Sequence, residues 1–111
     1  DGIILNVTLD LTPGDPDEIK QTFNTLLTRK QKSQPMDLPS AGCFFKNPGP
    51  EHPAGKLIEA AGLKGKTIHG AQVSTVHANY IVNLGHATCQ DILAVRRTVG
   101  EVLRVELGCV A

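Results

Sequence analysis

Proline constrains this chain more than any other residue type. The segment PSAGCFFKNP, residues 39–48, begins and ends with proline, and residues 47–53 hold three prolines in seven positions. Because proline fixes φ and lacks the backbone donor, residues 47–53 are excluded from a helix interior and from a central strand. We therefore expect a short strand at residues 43–45, followed by a surface turn.

Hydrophobic periodicity and capping residues predict the other elements. Strands are predicted over residues 3–11, 43–45, 67–73 and 79–84, with 109–111 as the start of a further strand. Helices are predicted over residues 16–32, 54–61 and 89–106. Asp15 and Thr88 are expected to cap the first and the last helix, and Gly62 to end the second. Gly70 interrupts a predicted strand, which indicates a bulge or a close backbone approach.

The order of these elements predicts the fold class. Strands and helices are mixed without regular βαβ alternation, so we expect a small α+β domain with three helices packed on a mainly antiparallel sheet. A length of 111 residues fits a single domain spanning residues 1–111. The chain starts with Asp rather than Met and stops within a predicted strand, so we expect it to be a piece of a longer protein.

Composition excludes several functional classes. The formal net charge is zero and aromatic residues make up 4%, so we expect no nucleic-acid partner. No apolar run reaches the roughly 18 residues of a membrane span, so none is expected. Three widely spaced cysteines without a C-x-x-C pair argue against a disulfide framework or a zinc site, and favour the cytoplasm. The four histidines lack metal-ligand spacing, so no metal is expected.

The residue type of Cys43 leaves three interpretations open. It is an inert core residue, the nucleophile of a cysteine hydrolase, or a group with another catalytic role. A hydrolase needs a histidine base, and nothing in the spacing selects one. The available histidines are His52, His69, His77 and His86. A Gly-x-Gly-x-x-Gly dinucleotide loop is absent from the sequence.

Four consecutive blocks carry a resemblance to a known family. Residues 39–48 are followed by AGKLIEAAGLKG at 54–65, GAQVS at 70–74 and HANYIVN at 77–83. Together these blocks resemble UDP-N-acetylenolpyruvoylglucosamine reductase, in particular the C-terminal substrate-binding domain of its shorter, second type. The opening segment and the PGDP turn at residues 13–16 also resemble that family.

The resemblance implies a two-electron reduction in peptidoglycan synthesis, and hence a role in cell-wall formation, cell shape and division. NADPH would reduce FAD, hydride would pass to C3 of UDP-N-acetylglucosamine enolpyruvate, and an enzyme acid would protonate C2. The family usually places a serine at the position of Cys43, so the resemblance implies that Cys43 is the proton donor. It also implies substrate contacts for Gly42, Lys46 and Asn47.

The same resemblance implies which parts lie outside this chain. The flavin-binding domains and a catalytic glutamate segment are expected elsewhere in the parent protein, so no FAD or NADPH is expected on this chain alone. Arg29, Lys30 and Lys32 lie where the family supplies a cation to the diphosphate, although a solvated helix end is the interpretation that we favour for them. For His77 and Asn79 we favour a structural role. A stand-alone nucleotide-sugar binding module without redox chemistry remains the alternative function.

Overall fold

The computed structural model describes residues 1–107 of the chain. Its helices are α1 (Pro16–Ser33), α2 (Ala54–Ala60) and α3 (Cys89–Leu107). Its strands are β1 (Ser40–Cys43), β2 (Thr67–Ile68), β3 (Ala71–Val73) and β4 (Tyr80–Asn83). They form one antiparallel sheet in the order β1-β4-β3-β2. The predicted α+β class, with three helices and an antiparallel sheet, is confirmed.

Helix α3 packs against β2, β3 and β4 and also contacts α2. Its buried side chains are Val95, Val99 and Leu103, whose spacing of four places them on one helical stripe. They meet Ile58 of α2 and Ile81 of β4 in the core. Helix α2 buries Ala54 and Ile58, while its residues Gly55, Lys56 and Glu59 line a cleft with the segment after β1.

The start of α3 is fixed by a reciprocal capping box. The main-chain nitrogen of Thr88 donates to Oδ2 of Asp91 at 2.8 Å, and the nitrogen of Asp91 donates to Oγ1 of Thr88 at 3.2 Å. His69 places Nδ1 2.8 Å from the other oxygen of Asp91. The hydrogen bond from the Thr88 backbone and the bond to His69 lower the pKa of Asp91 below its usual value. The predicted cap is confirmed.

The predicted strand 67–73 is a tight hairpin instead. β2 and β3 pair with each other and are joined by His69, which has φ 49°, and Gly70. A Cβ on Gly70 would lie 2.5 Å from the main-chain nitrogen of Ala87, so only glycine fits at that position. The close backbone approach expected at Gly70 is therefore confirmed, but the chain reverses there rather than continuing as one strand.

The predicted strand at residues 3–11 is wrong. The structure assigns no strand to residues 1–15, and the apolar side chains there are highly exposed, with Ile3 at 88% and Leu5 at 89%. An alternating pattern forms a strand only against a partner, and the described residues supply none. Helix α1 begins as predicted with Asp15 capping the nitrogen of Asp17, yet it contacts no other helix or strand within residues 1–107.

The strand expected at residues 43–45 lies earlier, at Ser40–Cys43. Phe44 leaves the sheet after donating its main-chain nitrogen to the oxygen of Asn79, and Phe45 enters the core. This offset exposes Cys43 and buries Phe45. The core-residue interpretation of Cys43 is therefore wrong. The strand start predicted at 109–111 lies outside the described residues.

Candidate functional site

A cavity of about 350 Å³ opens where the segment after β1 meets α2 and the loop before β4. Its wall combines a thiol, amides, an imidazole and both signs of charge. It is lined by Cys43, Asn47, Pro53, Gly55, Lys56, Glu59, Lys64, Val76, His77, Ala78 and Asn79. The proline-bracketed segment at residues 39–48 thus contributes Cys43 and Asn47 to a cavity with a mixed polar and apolar wall.

A β-bulge sets the direction of Cys43. Ser40 pairs with Val82 and Cys43 pairs with Tyr80, so β1 uses one residue more than β4 between the two pairs. Gly42 supplies this irregularity with φ 87°, a conformation that favours glycine. The extra residue places Cys43 opposite Tyr80, at the mouth of the cavity. Gly42 therefore has a clear conformational role; the substrate contact expected for it stays a prediction.

Asn47 lines the same cavity while it also stabilises α2. Its Oδ1 accepts a hydrogen bond of 2.9 Å from the main-chain nitrogen of Ala54, the first residue of that helix. This bond uses the side-chain oxygen of Asn47, so a turn-forming role is compatible with a ligand contact through the amide nitrogen. Lys46 is exposed and does not line the cavity, so the expected substrate contacts of Lys46 and Asn47 stay predictions.

Asn79 is buried and holds the segment after Cys43 in place. Its Oδ1 accepts from the nitrogen of Phe45 at 2.9 Å, and its Nδ2 donates to the oxygen of Phe45 at 2.8 Å. A side-chain amide thus replaces a strand partner for Phe45, just beyond the end of β1. The structure supports the structural role favoured for Asn79.

His77 combines a structural and a cavity-lining position. Its Nδ1 accepts a hydrogen bond of 3.1 Å from the main-chain nitrogen of Asn79, so the neutral ring carries its proton on Nε2. The ring packs edge-on against Tyr80 with centroids 4.8 Å apart. A Cβ at Gly55 would lie 3.1 Å from Cε1 of His77, so glycine in α2 makes room for this ring.

Two lysines give the cavity its positive charge. Lys56 and Lys64 both line it, and Nζ of Lys64 lies 2.8 Å from Oε1 of Glu59. The hydrogen bond from Lys64, together with its positive charge, lowers the pKa of Glu59 below its usual value. The cluster of two cations and one carboxylate leaves an excess of positive charge facing the cavity.

A second cavity, of about 430 Å³, is lined in part by Tyr80. Lys30 of α1 lines it together with Ser40 and Gly42. Of the three cations considered for the diphosphate, Lys30 is the one that this structure brings beside the proline-bracketed segment. Arg29 and Lys32 are exposed on the same helix.

Within residues 1–107, no three His, Cys, Asp or Glu side chains are grouped as metal ligands would be. No described helix combines the length and the apolar character of a membrane span. Among the hydrogen bonds of the described residues, none joins Cys43 to a histidine, and Nδ1 of His77 is occupied by Asn79. The hydrolase interpretation of Cys43 thus lacks the base that it requires.

Sequence reasoning missed the cavity partners that come from α2 and its following loop. Lys56, Glu59 and Lys64 lie in a block that we used for recognition, without a predicted role for any of them. A detectable signal was present: Lys56 and Glu59 stand three residues apart on a short helix and so share a face. Their proximity to Cys43 depends on the tertiary fold and has no local signature.

The fold and the cavity together define a class: a small α+β domain with a cationic cleft beside an exposed thiol. The family model for the C-terminal domain of UDP-N-acetylenolpyruvoylglucosamine reductase matches residues 34–109. The chain belongs to this family. The expected resemblance is confirmed.

Named relatives agree with this assignment. The reductase of Limosilactobacillus reuteri subsp. reuteri is 48% identical over 107 residues, which cover 96% of this chain and 36% of that protein. The reductase of Halalkalibacterium halodurans is 44% identical over 104 residues, with coverages of 94% and 34%. The crystal structure of the Thermus caldophilus reductase matches with a TM-score of 0.66 and 43% identity, over 78% of this chain and 32% of that one. The chain thus spans about a third of the length of these relatives.

Proposed function

We propose that this chain is the substrate-binding part of a flavoenzyme that reduces UDP-N-acetylglucosamine enolpyruvate to UDP-N-acetylmuramate in peptidoglycan synthesis. The observation that carries the proposal is the cavity in which Cys43 and Asn47 of the family segment lie together. The relatives are named as reductases of this enolpyruvyl sugar nucleotide. A non-redox binding module is not favoured, because the name of each of these relatives is that of a reductase.

The charge of the cavity suits a nucleotide diphosphate. Lys56 and Lys64 supply cationic donors, and His77 presents an Nε2–H that is fixed by its bond to Asn79. Phosphate oxygens accept strong hydrogen bonds from such groups, particularly where the cation is partly shielded from water. The amide nitrogen of Asn47 would add a neutral donor at the same wall. In this arrangement the diphosphate binds along α2 and the reacting carbons lie toward Cys43.

Cys43 would supply the proton to C2 of the substrate. A thiol, with an ordinary pKa near 8.5, is a much stronger acid than an alcohol and leaves a more stable anion. Its position at the mouth of the cavity, and its exposure, allow it to face a ligand. Only the protonated thiol is a donor, so turnover should fall as the pH rises through the range in which a thiol ionises.

The rest of the reaction would depend on parts of the parent protein beyond this chain. The described residues offer no dinucleotide-binding loop, and the matched family model is that of the C-terminal domain alone. We therefore place FAD and the NADPH site in the remaining two thirds of the parent protein, where the flavin, when bound, supplies hydride for C3. This chain alone should not turn over, and its unpaired Cys43 and Cys89 fit a reducing cytoplasm.

Residues 1–33 favour a domain boundary near the start of the family match at residue 34. Helix α1 contacts no described helix or strand outside itself, while Ile19 and Phe23 are 58% and 63% exposed. Apolar side chains this exposed at helical spacing need a partner surface. We propose that the flavin-binding part covers them, with the single domain at 1–111 as the alternative.

Binding is tested by titrating the isotope-labelled chain with UDP-N-acetylglucosamine enolpyruvate and following backbone amide resonances by NMR. The largest shifts are expected at Cys43, Asn47 and His77. Lys56→Ala should weaken the apparent affinity, because Lys56 lines the cavity, whereas Lys66→Ala, an exposed lysine outside it, should not. An unchanged spectrum at millimolar ligand, or equal effects of the two variants, would count against the proposed site.

A further inference from the structure

Cys43 and Tyr80 face each other across two antiparallel strands. They are direct partners in the register of β1 and β4, and this pairing exists because the bulge at Gly42 adds a residue to β1. Directly opposite residues in an antiparallel pair share one face of the sheet, with Cβ atoms about 4.5–5.5 Å apart. The tyrosine side chain is thus the cross-strand neighbour of the thiol.

The ring of Tyr80 has a defined position beside that thiol. It is partly buried, packs edge-on against His77 at 4.8 Å, and lines the cavity to which Lys30 also contributes. Partial burial raises the pKa of Tyr80 above its usual value, and the negative charge of a Cys43 thiolate adds to the shift. A tyrosine hydroxyl is ordinarily a weaker acid than a thiol, and this shift makes that of Tyr80 weaker still, so it is suited to donate a hydrogen bond.

We propose that Tyr80 is a positioning residue for Cys43, and that its hydroxyl donates a hydrogen bond to the thiolate left when Cys43 releases its proton. The catalytic consequence rests on the proposed function. In that step the S–H bond breaks, the proton moves to C2 of the substrate and the electron pair stays on Sγ. The O–H bond of Tyr80 remains intact, and water later returns a proton to sulfur.

A hydrogen bond to an anion is about twice as strong as one between neutral groups, so Tyr80 favours the thiolate over the thiol. Losing such a bond is expected to shift the ionisation of the thiol upward by about one pH unit, a tenfold change in thiolate population. The other titratable groups around the pair are Lys30, Lys56, Glu59, Lys64 and His77. These groups stay the same in Tyr80→Phe, so comparing that variant with the protein that keeps Tyr80 isolates the effect of the hydroxyl.

The direct test is the rate of Cys43 alkylation by iodoacetamide as a function of pH. The chain would carry Cys89→Ser and Cys109→Ser, with and without Tyr80→Phe, which keeps the ring against His77 and removes only the hydroxyl. The midpoint of the profile is expected to rise by about one pH unit. In a matched chain whose sole thiol is Cys89, Tyr80→Phe should leave the profile unchanged. Equal midpoints for Cys43 with and without the hydroxyl would overturn the proposal.

A second measurement does not depend on the Tyr80→Phe variant. Tyr80 is the only tyrosine and the chain contains no tryptophan, so the ultraviolet absorbance of tyrosinate reports Tyr80 alone. Cys43→Ala should lower the pKa of Tyr80, because it removes the thiolate, whereas Cys89→Ala should not. An unchanged titration in Cys43→Ala would also overturn the proposal.

Activity in the full-length protein separates this proposal from the proposed function. Tyr80→Phe is expected to lower kcat by up to about tenfold with little change in KM, and to move the alkaline limb of the pH profile upward. If the alkylation midpoint shifts while Cys43→Ala retains full turnover, the Tyr80 pairing holds and the acid role of Cys43 fails. If Cys43→Ala is inactive but Tyr80→Phe does not shift the alkylation midpoint, the acid role of Cys43 holds and the Tyr80 pairing fails.

Discussion

Replacing Asn79 by alanine should destabilise the domain strongly, because this one side chain satisfies two buried groups. Its amide bonds both the nitrogen and the oxygen of Phe45, at 2.9 and 2.8 Å, and Asn79 is only 4% exposed. Phe45 is itself 9% exposed, so water reaches its main chain poorly once the amide is gone. Asn79→Ala thus leaves one donor and one acceptor without partners.

The expected cost follows from those two groups. An unsatisfied buried polar group costs about 1–3 kcal/mol, so the pair should lower the free energy of unfolding by about 2–6 kcal/mol. That is a large share of the roughly 5–15 kcal/mol that stabilises a typical domain. The loss should also loosen the segment after Cys43, because Phe45 anchors it to the core.

Urea unfolding of this chain, followed by circular dichroism, measures the change. Asn47→Ala is the matched control, because Asn47 is exposed and makes a single bond to Ala54, for which about 1 kcal/mol or less is expected. A loss below about 0.5 kcal/mol for Asn79→Ala, or a loss equal to that of the control, would refute the reasoning.

Two further predictions concern the hairpin and the α3 cap. Gly70→Ala should cost about 1–3 kcal/mol in the free energy of unfolding, because its Cβ would overlap the nitrogen of Ala87 at 2.5 Å; Gly49→Ala, which meets open space, should change it little. Equal urea midpoints for these two variants would contradict the predicted clash. The pKa of Asp91 is lowered by the Thr88 backbone bond, so its stabilisation is present above the unfolded value near 3.9 and is lost as the pH falls through the folded value. Asp91→Asn should weaken the acid dependence of stability, and an unchanged pH profile would argue against the cap.

The helices were predictable because their signals are local. Asp15 and Thr88 each cap a helix through a hydrogen bond to a residue two or three positions ahead, and Gly62 has the positive φ expected after α2. Because such interactions join residues that are close in the sequence, the sequence alone is enough to predict them. The same holds for the stripe of Val95, Val99 and Leu103.

The strands were less predictable because pairing is not local. Alternation over residues 3–11 shows that a face is suited to burial, but the partner surface is absent from the described residues. The register of β1 depends on the left-handed conformation of Gly42, and no periodic pattern reports a one-residue bulge. The sequence pattern therefore predicted β1 at the wrong residues, and it predicted one strand where β2 and β3 form a hairpin.

Two polar side chains of the candidate site were predicted from the sequence, whereas the residues that surround them were not. Family resemblance pointed to Cys43 and Asn47, and the structure brings both to one cavity. The contribution of Lys64 and the edge contact between His77 and Tyr80 required the fold, because these residues approach Cys43 only through α2 and β4.

The central claim, that Cys43 protonates the substrate, is tested most directly by turnover of the full-length protein. Substrate-dependent NADPH oxidation would be compared for wild type, Cys43→Ser and Cys43→Ala, with Cys89→Ala as the exposed-thiol control. We predict that alanine lowers kcat by about 10²–10⁴-fold, the usual contribution of a general acid, while serine keeps substantial activity and the Cys89 variant is unaffected. Wild-type turnover in Cys43→Ala would contradict the claim.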